Sequence, residues 1–241
     1  MEEKYSKFIG VGSEGIKTLN SFKNKLERNF DFEEINLNQD VDKEYVRSLL
    51  DGIEILFISY NSEESKVKDI IKAISFMANE RRVISIGLDS ALKENKDDMG
   101  LDKEIKINKY NSEKVQDLIN IVVEAVDENL FLAIDYSDLK EIFAKDSAIS
   151  YSIEEFEKEV SIDDIAKTLT EETYTTVGEE VKKKALVFYE MSQNLIENEL
   201  IFINEVNMKI NEILGDTYDM MFSYNATNDK NEKVKIALIS K

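Results

Sequence analysis

Lys7 to Phe22 reads KFIGVGSEGIKTLNSF. A short apolar run ends in Gly10, Gly12 and Gly15, spaced G-x-G-x-x-G, and Ile16, Leu19, Phe22 and Leu26 follow at helical spacing. The pattern predicts a strand over 7–11, a tight turn, and a helix from Ile16 to Arg28. A glycine-rich turn lets bare backbone N–H groups approach phosphate oxygens at a helix N-terminus. Gly10, Gly12, Ser13 and Gly15 are therefore candidate nucleotide-binding residues. Two other readings stay open. The glycines also suit a tight turn with close helix–strand packing. A dinucleotide fingerprint would further need an acidic residue at the tip of the second strand, where this chain has Asn36 and Asn38, with Asp40 slightly beyond.

Working outward, FEEINLN (32–38) alternates apolar and polar as a strand does, and 43–51 reads as a short helix. EILFISY (54–60) and RVISIGL (82–88) are near-continuous apolar runs, as expected of strands buried on both faces. Between them Val67, Ile70, Ile71, Ile74 and Met77 repeat at helical spacing. Strand, helix, strand, helix, strand predicts a parallel sheet with right-handed crossovers. A polar loop covers 89–104, and IKIN (105–108) offers one more strand. The strongest helix pattern covers 112–130, with Val115, Leu118, Ile119, Val122, Val123 and Val126 on one face and Ser112 as N-cap.

The pattern then changes. Helices are expected over 138–144, 162–170 and around 203–214, with strands near 148–153 and at ALVFYEMS (185–192). YDMMFSYN and EKVKIALIS close the chain as two strands joined by ATNDKN, which reads as a hairpin. The second half is thus a smaller α+β unit with partly antiparallel pairing.

Composition narrows the chemistry. The 241 residues include no His and no Cys, which excludes imidazole catalysis, thiol nucleophiles and disulfides. Fifty acidic against thirty-one basic residues give a formal charge of −19, a surface that repels nucleic acid and anionic lipid. Solubility accounts for this charge, and recruitment of a basic partner is the alternative. No apolar run approaches the roughly 20 residues needed to cross a bilayer, and MEEKYSKF lacks the basic cap and long apolar stretch of a signal peptide. A cytoplasmic location is expected.

Four stretches in order resemble the FtsZ/tubulin family. FIGVGSEGIKTLNSF is similar to that family's first phosphate loop. EILFISY and RVISIGL resemble the strands flanking its main phosphate loop. LAIDYSDLKEIF (132–143) is similar to the loop after the central helix, which in the family reads N-x-D-x-x-D. FINEVNMKINEIL and DMMFSYNATNDKNEKVKIALIS resemble its closing helix and strands. The resemblance implies a tubulin/FtsZ-like α/β fold: a Rossmann-like parallel-sheet domain over 1–111, a central helix over 112–132, and a smaller α+β domain over 133–241. It implies GTP and Mg²⁺ as possible cofactors, and cytoskeletal filaments, with cell division as the family's process. It further implies that Asp135 and Asp138 activate the attacking water at the nucleotide of a neighbouring subunit.

The departures matter as much. Where the family carries G-G-G-T-G-T-G, this chain reads NSEESK (61–66), with Glu63 and Glu64 and no glycine. Ala133 replaces the Asn of the N-x-D-x-x-D loop. The chain is shorter than a typical family member between Leu88 and Ser112, where ribose and base contacts are expected. The family's C-terminal tail has no counterpart, so no direct membrane binding is expected. Glu14, with Glu63 or Glu64, would place carboxylates inside the cradle. Two like charges about 4 Å apart repel by about 4 kcal/mol at an intermediate dielectric, roughly a thousandfold in affinity. The reading is a pseudo-GTPase: a cytoskeletal or scaffold protein acting by association with itself or another FtsZ-like protein, with GTP binding and hydrolysis weak or lost. The alternatives are an active GTPase that polymerises head to tail, in which Asp135 and Asp138 are catalytic, and a dinucleotide-binding enzyme. Asp135 and Asp138 equally suit a plain helix cap. No metal ligand set is expected.

Overall fold

β1 (Tyr5–Val11) runs into α1 (Gly12–Phe22) with no intervening loop. In the computed structural model, residues 5–26, 30–64, 66–93, 95, 97–145, 148–171, 173–175, 183–193, 195–215, 218–228 and 232–241 are described. The helix begins at Gly12 inside the glycine motif, earlier than the Ile16 that apolar spacing suggests, and ends at Phe22. Arg28, the expected end, lies outside the described residues. β2 (Phe30–Ile35), α2 (Lys43–Leu49), β3 (Ile53–Tyr60), α3 (Val67–Glu80), β4 (Ile84–Asp89) and β5 (Lys103–Lys106) follow. The strands form one sheet in the order β2-β1-β3-β4-β5, parallel at every junction.

Alternation along β1 sends Phe8 and Ile9 to opposite faces of this sheet. Phe8 joins Phe22, Phe32 and Phe57 in an aromatic cluster with ring centroids 6.0–6.4 Å apart. Ile9 belongs to a second apolar layer with Ile58, Val67, Ile71 and Ile74, under α3. Burial on both faces is why β3 and β4 read as unbroken apolar runs.

The chain divides into two compact units, residues 1–120 and 121–241, and the division falls within α4 (Ser112–Glu124). That helix stops well short of residue 130. Asp127 Oδ1 accepts from both the backbone and the side-chain nitrogens of Asn129, at 2.9 and 2.8 Å. A short polar side chain satisfying its local backbone competes with the next helical turn.

In the second unit α5 (Tyr136–Ile142), β6 (Ser150–Glu157), α6 (Ile162–Glu171), β7 (Tyr174–Thr175), β8 (Lys184–Ser192), α7 (Glu199–Leu214), β9 (Asp219–Thr227) and β10 (Lys233–Ser240) complete the chain. The sheet order is β7-β6-β10-β8-β9, with β8 and β9 parallel and the other pairs antiparallel. β9 and β10 are therefore not a hairpin. β8 lies between them, because its run Ala185–Tyr189 is buried throughout and takes an interior position. β8, α7 and β9 make a crossover unit, and residues 229–231 of the expected turn lie outside the described residues. Ile203, Val206 and Ile210 of α7 pack with Ile165 and Leu169 of α6 and with Val187 and Tyr189 of β8. Among the described residues no helix is long and apolar enough to cross a membrane.

Gly15 shows how tightly α1 sits on the sheet: a Cβ there would lie 2.2 Å from the Ser59 carbonyl oxygen. Gly15→Ala must push α1 off β3, and overpacking of this kind costs about 3 kcal/mol. A chemical denaturation midpoint well below that of the parent is expected, and an unchanged midpoint would contradict the packing.

Candidate functional site

The carboxyl ends of β1, β3, β4 and β5 form one rim of the first sheet, where an open parallel sheet binds its ligands. Gly10 sits at the end of β1, paired with Glu34 of β2 and Ser59 of β3. Gly12 opens α1 with φ +73°, a left-handed conformation that suits glycine. Ser13 and Glu14 complete the first turn, so the backbone N–H groups here have no helical partner of their own. They have found another. Glu64 of the β3–α3 loop accepts the Ser13 N–H on Oε2 at 3.2 Å and the Glu14 N–H on Oε1 at 3.0 Å. A Cβ at Gly12 would come within 2.6 Å of the same Oε2, so a side chain here would displace the Glu64 carboxylate.

The acidic residues expected at the cradle, Glu14 with Glu63 or Glu64, thus part company. Glu14 contributes its amide, while its carboxylate turns along the helix toward Lys17 Nζ at 3.5 Å. Glu63 Oε1 accepts the Lys93 N–H at 3.3 Å. Glu64 alone enters, and it binds the amide donors. Fixed donors at a helix N-terminus favour an anion, and here the anion is part of the chain. Gly15 serves the close packing reading: its carbonyl also accepts the Ser59 hydroxyl at 2.7 Å.

A second group of side chains holds this loop, and the sequence pattern alone did not single it out. Asp89, buried at the end of β4, accepts the Ser62 N–H at 3.0 Å and the Ala91 N–H at 3.0 Å on Oδ1. Its Oδ2 accepts the Ser62 hydroxyl at 2.8 Å and Lys106 Nζ at 2.6 Å. Four donors saturate a carboxylate. Lys106 also donates to the Lys93 carbonyl at 2.9 Å, tying the 90–93 segment to the same centre. Asn61 adds two local bonds, accepting Glu63 N–H on Oδ1 at 2.8 Å and Glu64 N–H on its carbonyl at 3.0 Å. The signal in the sequence is slight: Asp89 follows the apolar run 82–88, and Lys106 lies within the short IKIN stretch.

Asp135 and Asp138 belong to the second unit. Asp135 stands at the N-cap position of α5 with extended dihedrals, yet its side chain makes no capping bond. Asp138 lies in the first turn, its N–H donating to the Asp135 carbonyl at 3.0 Å. Among the described residues neither carboxylate is engaged by a hydrogen bond or ion pair. Among the described residues there is also no cluster of ligands suited to a metal ion. β2 ends at Ile35, so Asn36, Asn38 and Asp40 all lie beyond the strand.

Behind the rim, the Tyr60 hydroxyl donates to Glu104 Oε2 at 2.7 Å. Burial pushes the Glu104 carboxyl up, the Tyr60 bond opposes this, and the nearby Asp89 charge adds to the rise. Burial, followed by the Glu104 charge, pushes the Tyr60 phenol far above its ordinary range. A carboxyl raised by folding contributes stability that is present below its ordinary value of 4.5 and lost as pH climbs through the raised value. Glu104→Gln, which keeps an acceptor for Tyr60 and does not titrate, should therefore melt above the parent near neutral pH. The gap should close below about pH 4. A gap independent of pH in paired thermal melts would show that Glu104 is not the titrating group.

No protein-family model matches the sequence, and no curated protein matches it either. Solved structures do. An FtsZ dimer from M. jannaschii aligns over 99% of this chain and 88% of its own, with TM-score 0.64 and 10% identity. CetZ from Methanosaeta thermophila aligns over 98% of this chain and 86% of its own, with TM-score 0.57 and 13% identity. TubZ from GDP-form protofilaments of Bacillus thuringiensis aligns over 98% of this chain and 84% of its own, with TM-score 0.55 and 12% identity. Both sheets and nearly every element between them lie within these alignments, and the fold of this chain is that of the FtsZ/tubulin family.

Proposed function

We propose that this chain is an FtsZ-like scaffold that works by association with copies of itself or with other proteins, without a nucleotide to switch it. The observation that carries the proposal is the Glu64 carboxylate on the Ser13 and Glu14 amides. A phosphate entering here would lose the two donors to an internal rival and meet its negative charge at close range. At about 4 Å the repulsion is about 4 kcal/mol. The rival is also preorganised, since Asp89 and Asn61 fix the loop that presents it. The same obstruction applies to a dinucleotide pyrophosphate, which would use the same amides. The fold's relatives include an FtsZ dimer and TubZ protofilaments, which supports association as the retained property.

A second reading rests on the uncommitted carboxylates of Asp135 and Asp138. Unpartnered among the described residues, Asp135, exposed at the N-cap of α5, and Asp138, half-buried in its first turn, can orient water for attack at a nucleotide held by a neighbouring copy. In that case Glu64 would be the residue to hold a Mg²⁺ ion, which would supply the charge neutralisation that the chain itself lacks.

Titration calorimetry with GTP and Mg²⁺ separates the two. The parent protein is expected to give no heat at millimolar GTP, whereas Glu64→Gly, which frees both amides, should bind more than tenfold tighter, a gain of at least ~1.4 kcal/mol. Sedimentation should show concentration-dependent assembly of the parent with no nucleotide present. Micromolar binding by the parent would overturn the scaffold reading. If turnover accompanies that binding, Asp138→Ala should reduce it by about a hundredfold, and unchanged turnover would remove Asp135 and Asp138 from the mechanism.

A further inference from the structure

α2 and β3 are joined by Leu50, Asp51 and Gly52. Leu50 and Ile53, 1% and 8% exposed, are buried in the apolar layer under α3 and pin both ends of this turn. Asp51 and Gly52 between them stand in solvent. The Asp51 side chain is 88% exposed, and its contact with Arg81 Nη1 is loose at 3.8 Å. Gly52 has φ +71°, and nothing lies within 4 Å of the place a Cβ would take. Among the described residues the Gly52 N–H has no hydrogen-bond acceptor. The turn itself closes through long bonds, from the Asp51 N–H to the Ser48 carbonyl and from the Ile53 N–H to the Leu50 carbonyl, each 3.4 Å. Few bonds and full exposure put such a segment at the low end of local stability.

A carboxyl carbon followed by a glycine nitrogen can close a ring, because no side chain on the glycine crowds the attack. The fold blocks the same closure where aspartate or asparagine precedes serine. The Ser90 N–H, after Asp89, donates to the Tyr60 carbonyl at 2.9 Å, and Asp89 itself is saturated by its donors. The Ser62 N–H, after Asn61, is held by Asp89 at 3.0 Å. The side chain of Asn111, before Ser112, is engaged at both ends. Its oxygen accepts the Asn108 N–H at 2.8 Å, and its nitrogen donates to the Lys106 carbonyl at 2.7 Å. Asn20 and Ser21 lie within α1, while Asp146 and Ser147 fall outside the described residues. Asp51–Gly52 combines an exposed carboxyl, an unengaged nitrogen and room to turn.

We propose that Asp51–Gly52 is a modification site at which the aspartate rearranges to isoaspartate with no enzyme required. The Gly52 nitrogen bonds to Asp51 Cγ, and the carboxyl hydroxyl departs as water with the nitrogen's proton, leaving a cyclic succinimide. Water then opens the ring. Attack at Cγ restores aspartate. Attack at the α-carbonyl carbon instead leaves the main chain running through Cβ and Cγ, with the α-carboxylate free. The water lost is regained, so the mass is unchanged and nothing is oxidised or reduced. The extra backbone atom falls in the exposed turn, between the buried anchors Leu50 and Ile53. The site lies at the amino end of β3, opposite the rim that carries the cradle, and is independent of what the cradle binds.

The test is a time series of the full chain at neutral pH, digested and read for isoaspartate by electron-transfer mass spectrometry. Methyl transfer from S-adenosylmethionine by an isoaspartyl methyltransferase gives a second readout. A free peptide of residues 47–56 sets the unconstrained rate. Accumulation at Asp51 in the folded chain should fall within about tenfold of the peptide's rate, as for a turn whose opening costs little. Asn61, Asp89 and Asn111 should stay unchanged until urea unfolds the chain. Asp51→Glu, which would need a larger ring, should lose the signal. Gly52→Asn, which tolerates the positive φ, should reduce it at least several-fold. Circular dichroism checks that both variants fold. A folded-chain rate below that range, accumulation chiefly at another residue, or an equal yield in Gly52→Asn would overturn the assignment. None of these readouts involves a nucleotide or an assembly partner, so the scaffold reading stands or falls separately.

Discussion

The bond pair between Glu64 and the amides of Ser13 and Glu14 decides what the first unit can be. A helix that starts without a loop leaves N–H groups pointing at the sheet rim, and those groups must be satisfied by something. In a nucleotide-binding chain the ligand does it. Here the carboxylate is tethered to the loop next door, so its effective concentration is that of an intramolecular partner and no free anion matches it easily. The tether itself is held in place. Asp89 takes both the amide and the hydroxyl of Ser62, and Lys106 neutralises Asp89, so the loop cannot swing clear without breaking a buried, four-donor carboxylate centre. Leaving such a charge unpaired costs about 3–5 kcal/mol, more than a loose surface loop could recover.

How much of this was legible depended on what kind of signal carried it. The parallel sheet was readable because β3 and β4 are buried on both faces and so write long apolar runs. α3 was readable because one apolar stripe follows a single period. The end of α4 was not, since Val126 continues the stripe while Asp127 and Asn129 close a polar turn that periodicity does not register. The order of the second sheet escaped for a similar reason. Two strands adjacent in sequence with polar residues between them look like a hairpin, and only the two-sided burial of β8 places a third strand between them.

The candidate site was half legible. G-x-G-x-x-G located the amides, and the acidic loop replacing a glycine–threonine run located the conflict. The direction of each carboxylate was beyond the sequence. Three glutamates looked equivalent, and three different partners, Lys17, Lys93 and the α1 amides, separate them. Repulsion between Glu64 and a phosphate is one half of the electrostatics. The same carboxylate that repels a phosphate is bound by the donors the phosphate would have used.

A switch needs two states that a ligand tells apart, and a ligand shifts an equilibrium only by its differential affinity for them. With Glu64 on the Ser13 and Glu14 amides, a nucleotide would have to displace the carboxylate before it could tell two states of the first unit apart. On the scaffold proposal, a chain of this fold associates without the device that would time its assembly. Under that proposal, control comes from concentration or from partners. A formal charge of −19 slows association between like copies and speeds it with a basic partner, steepening as salt falls. On the scaffold proposal, the acidity that reads as mere solubility in the sequence biases which partners associate.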